Sequence, residues 1–233
     1  MTPDYSPARA LLASARRHPE RLSLVDAVTG QEWTVREAAD TVARLAHTFA
    51  EAGIGEGTRL AVIGANSPWH YIVHVAASWL RAVTVPLSPR MPVSALAPMC
   101  AQVGASWVFH DEASSPTALA LASAGLHRAS FGDLAAWVDR ATPMRTAPAR
   151  CGSELAAVLF TSGSTGTPRP VELTHEVMWW GSTNFREGFD YAPTSSVVGV
   201  CAPVSHIGGF NGTSMDVWTH GGTLVTLGFP GSF

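Results

Sequence analysis

Apolar residues recur at helical spacing early in the chain. Val35, Ala38, Ala39, Val42, Leu45, Ala46 and Phe49 form one stripe, preceded by the capping-box pair Thr34 and Glu37 and ended by Gly53. That pattern predicts a helix over residues 35–52. A β-like run from Arg59 to Gly64 follows, and Ser67-Pro68 then supplies an N-cap and first-turn pair for an apolar helix reaching Leu80. Val83 to Leu87 reads as a strand ending at proline, Val93 to Gln102 as a helix and Trp107-Val108-Phe109 as another strand. Strands alternating with helices predict an α/β fold of layered sheets flanked by helices.

The rhythm stops after Ala141. Residues 142–148 carry two prolines and no periodicity, so the segment up to Ser153 reads as a surface linker between an N-terminal α/β subdomain, 1–145, and a second subdomain, 154–233. Beyond it, Leu155 to Phe160 is an unbroken apolar run of strand length, as expected of a strand buried on both faces. Gly222 to Gly228 reads as a later strand.

Composition narrows the possibilities. With 46% hydrophobic and 14% charged residues the chain can bury a substantial core, and a formal charge of -3 argues against a nucleic-acid partner. All fifteen basic residues are arginine, so an amine-dependent step needs a lysine from elsewhere. Cys100, Cys151 and Cys201 are too scattered for a zinc site or a disulfide framework. The first residues lack a signal-peptide layout, and the apolar stretch Tyr71 to Leu87 is broken by His74, Arg81 and Pro86, which suits a core helix followed by a strand better than a membrane span. A soluble, cytoplasmic protein is expected.

The strand at 155–160 runs into Thr161-Ser162-Gly163-Ser164-Thr165-Gly166-Thr167-Pro168-Arg169. Two readings of this composition are open. As a phosphate loop, Gly163 and Gly166 allow close backbone approach, peptide N–H groups and the hydroxyls of Thr161, Ser162, Ser164 and Thr165 donate to phosphate oxygens, and Arg169 adds a forked permanent charge. As a surface turn, the same residues are ordinary. Neither a G-x-x-x-x-G-K-[ST] nor a strand-borne G-x-G-x-x-G spacing is present.

The order of residues goes further. Leu159 to Arg169, followed by Val171-Glu172-Leu173-Thr174-His175, closely resembles the AMP-binding signature of the adenylate-forming superfamily, which includes acyl-CoA synthetases, luciferases and peptide-synthetase adenylation domains. Gly64-Ala65-Asn66-Ser67, Ala82 to Leu87 and Pro203-Val204-Ser205-His206-Ile207-Gly208-Gly209 resemble the family's upstream segments and its acyl-pocket motif. The resemblance implies the N-terminal part of that family's large domain. It also implies ATP-dependent activation of a carboxylic acid to an acyl-adenylate, with Mg2+, and transfer of the acyl group to the thiol of CoA or pantetheine, as in an acid–thiol ligase. By position, Thr161, Ser162, Gly163, Ser164, Thr165, Gly166 and Arg169 would contact ATP phosphates, Thr165 would also face Mg2+, and His206, Gly208 and Gly209 would line the acyl pocket. His175 would orient the loop or begin the next helix, and Trp179 and Trp180 read as core or interface aromatics rather than a cofactor box.

Two departures stand inside the signature: Arg169 replaces the family's common lysine and Pro170 its common glycine. Arginine keeps the charge; proline removes a backbone N–H, so weaker ATP affinity is expected. Family enzymes also continue to an aromatic-Gly-x-Thr-Glu motif, a ribose-binding aspartate, a hinge and a mobile domain bearing a catalytic lysine. None of these occurs in this sequence, so no catalytic residue is assigned. The expectation is therefore an adenylating chain that needs a complementing C-terminal polypeptide, with an apolar edge left open where later strands would pair. The alternative is a non-catalytic nucleotide-binding remnant.

Overall fold

The computed structural model describes residues 3–161 and 168–228. Along the chain run α1 (Pro7–Arg17), β1 (Leu22–Asp26), β2 (Glu32–Thr34), α2 (Val35–Glu51), β3 (Arg59–Ile63), α3 (Pro68–Trp79) and β4 (Val83–Leu87). Then come α4 (Val93–Val103), β5 (Ala105–His110), α5 (Ser115–Ser123), β6 (His127–Ser130) and α6 (Phe131–Arg140). The final third holds β7 (Leu155–Thr161), β8 (Arg169–Thr174), α7 (His175–Phe189), β9 (Val197–Val200), α8 (Ile207–Phe210), α9 (Ser214–Thr219) and β10 (Thr223–Thr226).

Among the described residues these strands make two sheets: a six-stranded one in the order β6-β5-β3-β4-β7-β8 and a four-stranded one in the order β2-β1-β10-β9. Every neighbouring pair is parallel except β7 with β8 and β1 with β2. Both sheets draw strands from either side of residue 150. The α/β expectation of layered sheets flanked by helices therefore holds.

Local chemistry explains why the early elements were legible. The Glu37 backbone N–H donates to the Thr34 hydroxyl at 3.2 Å, and the Thr34 N–H donates to the Glu37 carboxylate at 2.7 Å. Two orphan donors at the start of α2 are thereby satisfied. At the other end Gly53 adopts φ of +77°, a conformation that closes a helix at little cost only for glycine. α3 has no solvent-facing side because it is surrounded: it packs on β4 and β7 of one sheet and β1 of the other, and every residue except Trp69 is buried, His70, His74 and Ser78 included. Its fully buried Tyr71, Ile72 and Val73, with Phe49 and Leu45 of α2, each contribute about 1.5–3 kcal/mol by leaving water.

One expectation changes and two are narrowed. The 142–153 segment is irregular but not simply a surface linker, because Ala147 and Arg150 are buried, with Arg150 paired to Glu154 at 3.2 Å. Among the described residues the open edge lies at β9, the outer strand of its sheet, with the strand at 223–226 between β1 and β9. Of the core and interface readings of Trp179 and Trp180 the core one fails, since they are 39% and 50% exposed, with Trp179 packed edge-on against Tyr5.

Candidate functional site

The signature forms a hairpin. β7 is buried through Leu159 and emerges at an exposed Thr161, and β8 returns antiparallel from Arg169, with Thr161 and Arg169 as register partners. The Thr161 hydroxyl donates to the Arg169 carbonyl at 3.5 Å, which fixes the two ends of the connecting loop side by side. Ser162, Gly163, Ser164, Thr165 and Gly166, the remaining expected phosphate contacts, lie outside the described residues. Most arginines on the described surface are held by carboxylates or carbonyls, including Arg36, Arg59 and Arg81. Arg169 is exposed and makes no ion pair among the described residues, which leaves its guanidinium available to an anion at the hairpin mouth.

Pro170 stands one residue inside β8, opposite Phe160. Its missing N–H is therefore that of a strand residue and not of the loop. β8 is an edge strand, where a sheet tolerates proline.

His175 begins α7, one residue after the N-cap Thr174, whose hydroxyl accepts from the Val177 N–H at 3.3 Å. Its own N–H donates to the Glu154 carbonyl at 3.0 Å. Burial, reinforced by the Arg150 charge, pushes the imidazole pKa down to about 4, so it stays neutral. The ring lines a cavity of about 100 Å³ between α1, α7 and α9, whose walls include none of Thr161, Arg169 and His206.

His206 is placed by a second construction. β9 leads into residues 201–206, and His206 caps the short α8 with its ring exposed and free of hydrogen bonds among the described residues. This connection is tied to the other sheet by one side chain. Asn66, buried just beyond β3, donates to the carbonyls of Ala202 at 2.8 Å and Val200 at 3.3 Å, and accepts the Val204 N–H at 3.0 Å. Beneath α8, the Tyr71 hydroxyl donates to the Gly209 carbonyl at 2.5 Å. His74, kept neutral by burial that lowers its pKa to about 3, bonds Thr84 and packs edge-on against Phe210.

The two motif glycines behave differently. A Cβ on Gly208 would meet nothing within 4 Å, so that position borders open space. A Cβ on Gly209 would fall 2.5 Å from the Pro203 carbonyl oxygen. The absent Gly209 side chain thus lets the chain cross itself rather than opening room toward solvent. Asn66 and Tyr71 are the residues sequence reasoning missed: Asn66 stood within a resembling segment but had no assigned role, and its partners lie more than 130 positions away.

Among the described residues no three histidine, cysteine or acidic side chains converge as a metal site, and no helix is long and apolar enough to cross a membrane.

Comparison with known proteins agrees with this geometry. The AMP-binding enzyme family matches residues 11–230. A feruloyl-CoA synthase from Amycolatopsis sp is 31% identical over 196 residues, covering 84% of this chain and 39% of that protein. A hybrid PKS-NRPS synthetase from Trichoderma harzianum is 32% identical over 183 residues, covering 75% of this chain and 4% of its own length. Among solved structures, the inhibitor-bound N-terminal domain of FACL13 from Mycobacterium tuberculosis superposes with a TM-score of 0.85 at 21% identity, covering 97% of this chain and 57% of that one. ATP-bound MatB from Rhodopseudomonas palustris gives 0.83 at 20%, covering 97% and 45%. With the family matched over nearly the whole chain and the signature hairpin in place, the chain belongs to the AMP-binding, adenylate-forming enzymes, of which it corresponds to an N-terminal portion.

Proposed function

We propose that this chain supplies the phosphate-holding part of an acid–thiol ligase. In the first step a carboxylate oxygen attacks the α-phosphorus of ATP, forming the acyl-adenylate and releasing pyrophosphate. In the second the sulfur of CoA attacks the acyl carbon and AMP departs. The observation that carries this reading is the hairpin mouth, where β7 delivers Thr161 and β8 returns Arg169, without an ion pair among the described residues, to the two ends of a Ser/Thr/Gly-rich segment. Catalysis of this kind is mainly positioning and charge neutralisation. Arg169 would balance pyrophosphate charge, and the loop hydroxyls, Thr165 among them, would hold the phosphates with Mg2+, which supplies further neutralisation when bound. His206, exposed at the start of α8 and fixed through the Asn66 bridge, would meet the acid, with Gly208 leaving space beside it.

The chain spans 39% of the length of the feruloyl-CoA synthase it matches, so the complete reaction is assigned to this chain together with further polypeptide. The same likeness makes ferulate the first acid to test. Titration of MgATP into the folded chain is expected to show binding that Arg169→Ala weakens by about tenfold, the loss of one charge-assisted contact of about 1.4 kcal/mol. Ferulate-dependent ATP–pyrophosphate exchange is expected only when the remaining polypeptide is supplied. A folded chain that gives no MgATP binding would overturn the phosphate-holding role. Exchange by the chain alone would overturn the need for a complement.

A further inference from the structure

The cavity beside His175 belongs neither to the signature hairpin nor to the turn that carries His206. α1 lines it with Ala10, α7 with His175, Met178 and Ser182, α9 with Met215, and His74 reaches it from α3. Its volume of about 100 Å³ gives room for several waters or for one small organic molecule.

The polar groups that face it have incomplete hydrogen bonding. The His175 ring and the Ser182 hydroxyl are in side chains only 4% and 6% exposed, yet neither makes a hydrogen bond among the described residues. His74, 1% exposed, engages the Thr84 hydroxyl through Nδ1 at 2.7 Å, which leaves Nε2 over. Buried polar groups are ordinarily satisfied, so three such side chains on one cavity point to an occupant that completes them.

The charge around the cavity narrows the occupant. Asp216 already accepts from Arg186 and from the Tyr191 hydroxyl at 2.9 Å, and Asp4 is paired with Arg9 at 3.1 Å. Burial keeps the His74 and His175 rings neutral. The groups left over are therefore uncharged, and an ion brought among them would lose hydration without gaining a counter-charge. Apolar side chains make up the rest of the wall. Met178 and Met215 are flexible thioethers that adapt to a flat guest, and Trp179, packed edge-on against Tyr5, opens the cavity to solvent. One aromatic ring is the upper limit of size, since a dry cavity of about 150 Å³ takes benzene.

We propose that this cavity is a binding site for a small neutral phenol, its ring against Met178 and Met215 and its hydroxyl bonded among His175, Ser182 and His74. A phenolic hydroxyl both donates and accepts, which suits neutral imidazoles and a serine. The occupant ties α1 to α7 and α9. No group of the signature hairpin takes part, so this site and the phosphate-holding role hold or fail separately.

The test is a titration of the whole chain with phenol at neutral pH, following the isotope-labelled methyl groups of Met178 and Met215, assigned through Met178→Leu and Met215→Leu. Both resonances are expected to shift saturably, with a Kd of about 1 mM, an ordinary affinity for so few non-hydrogen atoms. Toluene, which lacks the hydroxyl, should bind about fivefold more weakly, and charged benzoate at least tenfold more weakly. Ser182→Ala should weaken phenol about threefold, and Ala10→Met, which fills the cavity from α1 with a good helix former, should abolish the shifts while circular dichroism stays that of the parent. No saturable shift in the parent, meaning ordered water only, overturns the proposal. Equal affinity for phenol and toluene overturns it, as do shifts that persist in a folded Ala10→Met chain. If Ala10→Met does not fold, the toluene comparison and Ser182→Ala decide, and phenol affinity unchanged by Ser182→Ala counts as refutation.

Discussion

Replacing Asn66 should uncouple the two sheets at the point where His206 is positioned. The side chain is 2% exposed and makes three hydrogen bonds, two as donor to Val200 and Ala202 and one as acceptor from Val204. In Asn66→Ala the buried Val204 N–H loses its partner, a penalty of about 1–3 kcal/mol. The carbonyls add less, because the Val200 oxygen also accepts from the Leu227 N–H at 3.3 Å. A total loss of about 2–4 kcal/mol follows, a large share of the stability of an ordinary domain. Asn66→Asp separates the two roles. It keeps the acceptor for Val204 but sets a carboxylate against two carbonyl oxygens, so it too should destabilise while leaving the Val204 amide protected. Urea unfolding gives the energies, and hydrogen exchange resolved at Val204 gives the assignment. The reasoning is refuted if the alanine variant unfolds within about 0.5 kcal/mol of the parent with its Val204 amide still protected.

Acid should destabilise the chain through histidines buried neutral. Burial lowers the pKa of His70 to about 4, below its unfolded value near 6.5, so its contribution is complete above pH 6.5 and is lost as pH falls toward 4. Between pH 7.5 and 5.5, His70→Leu should flatten the fall in unfolding free energy by about 1.4 kcal/mol, and parallel urea-derived profiles for variant and parent would refute this. At the acyl-pocket motif, Gly209→Ala should cost about 1–3 kcal/mol because its Cβ would strike the Pro203 carbonyl, whereas Gly208→Ala should be close to neutral; equal urea midpoints for the two would contradict the geometry.

What the sequence made legible was local, and the reasons are specific. The capping box before α2, the Ser67-Pro68 start of α3 and the apolar run of β7 each depend on neighbours within a few residues, and each element appeared close to its expected bounds. The four-stranded sheet was not legible, because β1 pairs with β10 some 200 positions later and neither short strand announces its partner. α1 also escaped notice: its buried Ala8, Leu11 and Ser14 are a thin stripe among arginines and alanines. At the site the division is the same. Thr161 and Arg169 stand together because a strand, a loop and a returning strand are contiguous, so an ordered signature was enough to find them.

His206 depends instead on contacts made across the fold. Its backbone is held by the Pro203 carbonyl, the turn around Pro203 by Asn66, and the crossing at Gly209 by Tyr71 of α3. α3 in turn is fixed by packing against both sheets, so the position of the end proposed to face the acid is set by the whole core, while the end proposed to hold phosphate is set by one hairpin. Damage to the core should therefore disturb the proposed acid contact at His206 before it disturbs the hairpin mouth. For Asn66→Ala this means that MgATP affinity should survive within about threefold in any variant preparation that remains folded, while acid-dependent exchange in the completed enzyme falls. Loss of both together would show that the hairpin depends on the Asn66 bridge, against the separation of the two ends inferred from their supports.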